Sequence, residues 1–322
     1  MAPPVMTRLT YDTSEALVYD PVSANRMATR AVLYTLGFRR IETVGSVKGF
    51  AEYLNRRPPD LAICEVQGAD TELCEMIQAL RQGGEGTNPF IVIIATAWEK
   101  NADLIARVVN SGADDLLLRP FSTALLGSRI ETHIQRRKGF VVTTDYVGPD
   151  RRRDQSRPSA VELFDPPNSL KMKAKDRLSM EQAAQRLEEE LRAAKDLLNA
   201  EKLRRDAFQV CIQWRLMQDR MPGRGAGCDV ELARIAALVR SIAKRSRDTD
   251  FEQAGSWCDS ILAAVEGLEL GVDRNASMHL LGHAALSLNQ VFRPGTAAHE
   301  QLGEIDATVA LIRARNAEKL AS

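Results

Sequence analysis

Four residues with chemically useful side chains come at or directly after the ends of short apolar runs, and these are Asp20, Glu65, Thr96 and Arg119. The two carboxylates could ligate a divalent cation such as Mg²⁺, which takes oxygen ligands in octahedral geometry. The guanidinium of Arg119 could instead form charge-assisted hydrogen bonds with a carboxylate. The residue types therefore allow a metal site on Asp20 and Glu65, or an ion-paired pocket.

The elements that must position these residues lie between residues 14 and 138, where five apolar runs alternate with five helical patterns. We predict strands at 16–19, 40–44, 61–64, 90–95 and 116–118. We predict helices at 23–36, 46–55, 71–81, 102–110 and 122–137, with Gly37 ending the first helix and Ser122 capping the last. Strict alternation is typical of an α/β domain with a five-stranded parallel sheet, doubly wound as in flavodoxin. Ligands of such sheets bind outside the carboxyl ends of the strands, where the four residues would meet.

Four stretches in this order resemble the response-regulator receiver (CheY-like) family over residues 14–138, which is under half of the chain. They are residues 16–21 (ALVYDP), 59–65 (PDLAICE), 93–97 (IIATA) and 112–121 (GADDLLLRPF). They resemble, respectively, the first strand with its acidic pair, the phosphoacceptor strand, the strand of the switch threonine, and the segment ending in lysine-proline-phenylalanine. The resemblance implies transfer of a phosphoryl group to a carboxylate, assisted by Mg²⁺, a lysine and a hydroxyl.

The acidic positions depart from the family's pattern. Glu65 stands where the family carries the phosphoacceptor aspartate, and its extra methylene displaces the carboxylate too far for a rigid Mg²⁺ site. Asp20 supplies one acid, whereas Pro21 stands at the second acidic position and has no ligating side chain. A shifted register, with Tyr19 first and Asp20 second, also leaves only one acid of the pair. We therefore predict no cofactor, and Mg²⁺ could use only Asp20 and Glu65.

The remaining positions of the pattern are partly kept. Thr96 matches the switch threonine, Arg119 replaces the lysine with a broad planar fork, and Leu116 stands where an aromatic side chain is usual. Together the changes predict a pseudo-receiver, whose phosphorylation is altered or lost. Two arrangements stay open: Glu65 pairs with Arg119 and mimics a permanently set state, or it simply fills the pocket. The alternative is a conventional receiver phosphorylated on Glu65 or a neighbour.

Composition limits the classes of function. Lys and Arg number 43 and Asp and Glu number 43, so the net charge of zero gives no whole-chain attraction to nucleic acid or to a membrane. No apolar run approaches the length of a membrane helix. The five cysteines never form a CxxC pair, which favours free thiols in a reducing cytoplasm over a zinc site or disulfides.

The rest of the chain is predicted to be helical. Residues 1–13 form a tail and residues 139–172, which include an arginine triplet, form a linker. Residues 173–221 form a long helix with a heptad seam, whose members are Met180, Ala184, Leu187, Leu191, Ala194 and Leu198. That helix either pairs as a coiled-coil stalk in a homodimer or folds onto the C-terminal region. Residues 229–318 carry four amphipathic patterns, 229–245, 250–268, 274–291 and 297–316, which predict a small helical bundle.

We predict a cytoplasmic regulatory protein that acts by protein–protein interaction in bacterial two-component or phosphorelay signalling. Its expected partners are a histidine kinase, a phosphotransferase or a downstream regulator. The resemblance places the docking face on the fourth and fifth helices and the fifth strand of the receiver. No nucleophile–base set, phosphate loop or metal cluster is visible after residue 140, so an enzyme is not expected. Binding of duplex DNA through the C-terminal helices is an alternative, although nucleic acid is not the expected partner.

Overall fold

The structure is a computed structural model of the 322-residue chain, and it describes residues 9–84, 86–143, 145–152, 163–218 and 229–321. Some predicted segments lie partly outside the described residues. These are residues 1–8 of the predicted tail, residue 85 of the predicted α/β domain, residues 144 and 153–162 of the predicted linker, and residues 219–221 of the predicted long helix. The chain divides into two compact units, residues 1–196 and residues 197–322, and each is described by itself.

A five-stranded parallel sheet forms the centre of the first unit, as the alternating pattern predicts. Its strands lie in the order β2-β1-β3-β4-β5. They are β1 (Glu15–Tyr19), β2 (Arg40–Val44), β3 (Leu61–Glu65), β4 (Val92–Ala97) and β5 (Asp115–Leu118). This is the flavodoxin-like doubly wound order, so the predicted fold class is confirmed.

Five helices cover the two faces of the sheet. They are α1 (Ser23–Leu36), α2 (Val47–Arg56), α3 (Asp70–Arg81), α4 (Ala102–Ser111) and α5 (Thr123–Gln135). The helix signals in the sequence hold: Gly37 ends α1 in the left-handed conformation, and the Ser122 hydroxyl accepts a hydrogen bond from the N–H of Leu125 at 3.1 Å. Each face of the sheet has its own apolar core, with Phe50 and Ile77 in one and Leu33 and Ile130 in the other.

The fourth strand is shifted from its predicted bounds. The apolar run predicts a strand over 90–95, but β4 begins at Val92 and continues to Ala97. Phe90 lies before the strand because its N–H bonds the side-chain oxygen of Asn88 at 2.9 Å and its ring joins an aromatic cluster. As a consequence Thr96 lies inside β4, directly opposite Glu65 on β3.

The stretch predicted as a linker contains regular structure that packs on the first unit. Residues Phe140–Val142 (β6) and Val147–Pro149 (β7) form an antiparallel hairpin. The fully buried ring of Phe140 packs edge-on against Phe90 and Phe164, at centroid distances of 6.0 and 6.1 Å. Strands of three residues are too short to show an alternation of apolar and polar residues, and Gly, Pro and Arg residues surround them. For this reason the sequence predicted a linker here.

The end of the same stretch also belongs to the first unit. Helix α6 (Ser169–Ala174) buries Leu170 and Ala174 in the core beside α1 and α5. The Lys173 ammonium lies 2.7 Å from a carboxylate oxygen of Asp60, which itself accepts from the N–H of Glu15. These contacts hold α6 against the amino ends of β1 and β3.

A buried ion-pair network joins the sheet to the hairpin. Asp114, just before β5, accepts hydrogen bonds from the guanidinium of Arg81 at 2.8 Å and from that of Arg137 at 2.8 and 3.1 Å. Both guanidinium groups lie over the ring of Phe140, at 5.3 and 5.0 Å. Burial alone would raise the pKa of Asp114, but Arg137 and Arg81 hold it below its ordinary value. Burial lowers the pKa of Arg81 to about 10.

Helices are the only regular secondary structure in the described residues of the second unit. Its elements are the second half of α7 (Met180–Gln218), α8 (Asp229–Arg245), α9 (Ala254–Glu269), α10 (Arg274–Phe292) and α11 (Ala298–Ala321). One apolar core contains side chains from all five helices, among them Val210 and Trp214 of α7. The all-helical C-terminal region with a long helix is therefore confirmed. No helix within the described ranges has the length and apolar character needed to cross a membrane.

The long helix carries a second apolar stripe beyond the heptad seam predicted from the sequence. At its start Met180 is 39% exposed and Ala184 is exposed, whereas Ala194 and Leu198 are buried. After Glu201 a new stripe enters the core of the second unit, formed by Leu203, Ala207, Val210, Trp214 and Met217. This second half thus packs as a bundle helix, which is the arrangement of one of the two predicted alternatives.

Candidate functional site

The four residues singled out in the sequence meet at the carboxyl edge of the sheet. Asp20 follows β1, Glu65 ends β3, Thr96 lies in β4 and Arg119 follows β5. Parallel strands bring their carboxyl ends to one edge, so residues up to 99 positions apart in sequence become neighbours. All four side chains are buried or nearly so.

Glu65 is the centre of the site. One of its carboxylate oxygens, Oε2, accepts from the Thr96 hydroxyl at 2.9 Å and from Nε of Arg119 at 2.9 Å. The other, Oε1, accepts from the N–H of Gln67 at 3.1 Å. Burial raises the pKa of Glu65 above its ordinary value, and the hydrogen bonds from Gln67, Thr96 and Arg119 oppose that rise without cancelling it. The carboxylate is therefore held in place on both oxygens.

Arg119 lies between the two carboxylates. Its Nη2 donates to the hydroxyl of Thr29 at 3.0 Å and lies 3.4 Å from Oδ2 of Asp20. The guanidinium carbon is 4.9 Å from the ring centre of Phe121 and 5.9 Å from that of Trp98, within the range of cation–π attraction. The planar fork thus pairs with both acids at once, which a lysine ammonium could do only as a point charge.

Asp20 supplies the only acidic side chain from the loop after β1. Its Oδ1 accepts from the N–H of Val22 at 2.8 Å, while Oδ2 has Arg119 as its charged neighbour. Pro21 is exposed and has no polar side chain, and Tyr19 is buried inside β1 with its ring 5.9 Å from that of Phe50. Neither register considered for the acidic pair therefore adds a second carboxylate.

The residues present do not fit the Mg²⁺ that the resemblance implies. A hard divalent cation needs several oxygen ligands, and here two carboxylates already share the charge of Arg119. Across the part of the chain that the structure describes, no group of three or more His, Cys, Asp or Glu side chains could hold a metal ion. Any metal at Glu65 would first have to displace a charged guanidinium.

Two residues of the site were missed in the sequence. Thr29 is buried on α1 and receives a hydrogen bond from Arg119. In the sequence, Thr29 is marked only as a polar residue four positions before Leu33, on the buried face of the helix.

Gln67 bridges the loops after β3 and β4, because its N–H donates to Glu65 and its side-chain oxygen accepts from the N–H of Trp98 at 2.9 Å. No spacing in the sequence marks Gln67. Leu116, where the family usually has an aromatic residue, is half-buried.

The pKa of Glu65 provides a direct prediction. We expect this carboxyl to titrate above the ordinary range of a glutamate, and Arg119→Met to raise its pKa further by removing a hydrogen bond and a positive charge. The folded state then keeps a proton that the unfolded chain has lost. The free energy of unfolding should therefore fall as the pH rises from the ordinary glutamate pKa through the folded pKa.

Carboxyl ¹³C NMR of the glutamate-labelled chain measures this titration. Glu65→Gln assigns the signal and should remove its share of the pH slope, and Glu52, which is 68% exposed, is the internal control. A Glu65 pKa in the ordinary range in both the native protein and Arg119→Met would contradict the expectation.

The chain is similar to known response regulators over its N-terminal part. It is 30% identical over 123 residues to the KDP operon transcriptional regulatory protein KdpE of Escherichia coli (strain K12). That match covers 38% of this chain and 52% of the relative, so the chain spans about half the length of the curated relative. No protein-family profile matches the chain.

Solved structures give similar matches over the same share of the chain. One is a signal receiver domain from Clostridium thermocellum, with 18% identity, a TM-score of 0.34, and coverage of 38% of this chain and 98% of that chain. Another is a response regulator from Thermotoga maritima, with 23% identity, a TM-score of 0.33, and coverage of 37% and 96%.

The sequence match and the strand order together define the N-terminal domain as a CheY-like receiver domain of the response-regulator class. The predicted resemblance is confirmed for that domain. It does not extend to the C-terminal half of the chain.

Proposed function

We propose that the receiver domain is a pseudo-receiver, a docking module of two-component or phosphorelay signalling whose working state does not depend on phosphorylation. The sequence match to a response regulator supports the signalling context. The changed residues at the carboxyl edge of the sheet support the loss of phosphoryl chemistry. In this proposal the protein acts by binding other proteins and is not an enzyme.

One observation carries the proposal: the guanidinium of Arg119 lies 2.9 Å from Glu65 and 3.4 Å from Asp20. Phosphoryl transfer to a carboxylate brings two negative groups together, so it requires cationic charge that the acceptor can share with the incoming group. Here the nearby cation is already paired with the acceptor position. The Thr96 hydroxyl, which the resemblance would place on a phosphoryl oxygen, donates to Glu65 instead. The pocket therefore resembles a charge-neutralised site without a phosphoryl group.

The partners we propose are signalling proteins: a histidine kinase, a phosphotransferase or a downstream regulator. The face formed by α4, β5 and α5 is the proposed docking surface, and it presents the side chains of Leu118 (40% exposed) and Leu125 (41% exposed). A homodimer through a coiled coil of the first half of α7 is part of the same proposal, and Met180, the first member of the predicted heptad seam, is an exposed apolar side chain on that half.

Calorimetric titration of Mg²⁺ into the full-length protein tests the proposal. We expect no saturable binding by the native chain, because a metal ion at Glu65 must displace Arg119. The comparison is a variant that restores the family's residues, Pro21→Asp with Glu65→Asp and Arg119→Lys, which should bind Mg²⁺. Adding Asp20→Asn to that variant should abolish its binding. Saturable Mg²⁺ binding by the native protein, lost on Asp20→Asn, would favour a conventional receiver.

A further inference from the structure

A pocket of about 430 Å³ lies between α4 and the β6–β7 hairpin, away from the carboxyl edge of the sheet. The hairpin reaches the start of β5 here, where α4 ends at Gly112 in the left-handed conformation. A Cβ at Gly112 would lie 2.5 Å from the carbonyl oxygen of Val147, so only glycine permits this close approach. The volume falls within the range of small-molecule sites.

The walls of the pocket are apolar and aromatic on one side. Val109 of α4 faces Val141 of the hairpin, and Tyr146 lies in the turn region beside them. The Tyr146 hydroxyl donates to the carbonyl oxygen of Pro149 at 2.9 Å, so its polar end is satisfied within the hairpin. These three side chains can enclose an apolar or aromatic body.

On the other side of the pocket, the described lining residues carry one positive charge in excess, with two arginines and one aspartate. Arg152 pairs with Asp150, since its Nε lies 2.9 and 3.0 Å from the two carboxylate oxygens. Arg151 contacts neutral groups instead: it donates to the carbonyl oxygens of Ala113 and Asp114, and it also interacts with the Tyr146 hydroxyl. Among the described residues no carboxylate lies within ion-pair distance of the Arg151 guanidinium, and its buried Nε has no hydrogen-bond partner there. The charge of Arg151 is therefore available to a ligand.

A second pocket of about 340 Å³ adjoins the first and shares Val109 and Arg151 with it. It lies along β5, where Leu116 and Leu118 provide apolar walls and Lys100 another cation. Arg151 thus borders both spaces. Both pockets therefore combine apolar walls with the guanidinium of Arg151.

We propose that the pocket between α4 and the hairpin is a binding site for a small amphipathic anion. Its acidic group, a carboxylate or a phosphate, pairs with Arg151, and its ring or apolar body lies between Val109, Val141 and Tyr146. The site is separate from the Glu65 pocket and does not depend on the pseudo-receiver proposal.

The fluorescent probe 8-anilinonaphthalene-1-sulfonate, an aromatic monoanion, tests the site on the full-length protein. We expect saturable binding with one probe per chain. Arg151→Gln should weaken it about tenfold or more, because a charge-assisted contact is lost. Val109→Trp should abolish it by filling the pocket. Met27→Trp, on the exposed face of α1, and Lys48→Gln, an exposed cation on α2, are the matched controls and should leave the affinity unchanged.

Competition identifies the class of ligand. Benzoate and phenyl phosphate should displace the probe, and their relative strengths distinguish a carboxylate from a phosphate ligand. Inorganic phosphate at the same concentration should not displace it, because it has no apolar body. Unchanged probe affinity in both Arg151→Gln and Val109→Trp would overturn the proposal, as would equal displacement by inorganic phosphate. Far-ultraviolet circular dichroism of each variant establishes that it is folded.

Discussion

Replacing Asp114 by asparagine should lower the free energy of unfolding of the receiver domain by about 3–5 kcal/mol. Asp114 is fully enclosed and accepts charged hydrogen bonds from Arg81 and Arg137 as well as the N–H of Ile93. Removing its charge leaves two buried guanidinium groups without a counter-ion, and the new amide N–H₂ faces one of them. Breaking one side of a buried pair is costly because the remaining charge cannot regain its hydration.

Amide hydrogen exchange of peptides from β1, β3 and β4 measures this loss without interference from the second unit. The matched control is Asp103→Asn, at an exposed acid in the first turn of α4, which should cost at most about 1 kcal/mol. Combining Asp114→Asn with Arg81→Met should cost less than the sum of the two single changes, since both remove the same pair. An Asp114→Asn protein as stable as the control would show that the network contributes little.

Phe140→Ala should destabilise the receiver domain by about 3–5 kcal/mol, the usual cost of removing a fully buried aromatic ring. Phe140 lies beyond the last helix of the receiver, yet its ring contacts Phe90 and Phe164 and lies under both buried guanidinium groups. The change leaves a cavity and exposes one side of the ion-pair network. The hairpin is therefore expected to stabilise the domain rather than only connect it to the next segment.

The matched control for Phe140→Ala is Leu163→Ala, one residue before Phe164, where the side chain is 47% exposed. Its cost should stay below about 1 kcal/mol. A chain ending at residue 138 tests the same point more severely, because it removes the hairpin and α6 together. We expect that fragment to exchange its sheet amides far faster than a fragment ending at residue 176. Equal protection in the two fragments would contradict a stabilising role for residues 139–174.

The α/β fold could be predicted because its strands are buried on both faces. Such strands read as continuous apolar runs, and the helices between them carry clear end signals such as Gly37 and Ser122. The topology then placed Asp20, Glu65, Thr96 and Arg119 at one edge without any knowledge of their contacts. The actual pairing of Arg119 with both acids depends on side-chain reach and on Thr29, neither of which a linear pattern encodes.

The hairpin and α6 could not be predicted because their elements are short. Their strands and helix span three to six residues each, too short to show a hydrophobic period. Their stability comes from tertiary contacts, such as Phe140 on Phe90 and Lys173 on Asp60, rather than from local propensity. In the long helix, tertiary packing is again what the sequence does not show. Both of its apolar stripes have heptad spacing, and only the packing shows that the second stripe belongs to the bundle core.

Intact-protein mass spectrometry after incubation of the full-length chain with acetyl phosphate and Mg²⁺ tests the central claim most directly. A conventional receiver treated in parallel shows that the donor is active, and the variant carrying Pro21→Asp, Glu65→Asp and Arg119→Lys is the comparison. We predict no phosphoryl adduct on the native protein and one adduct on the variant. A phosphoryl adduct on the native protein, mapped to Glu65 or a residue beside it, would contradict the pseudo-receiver proposal and establish a phosphorylation switch.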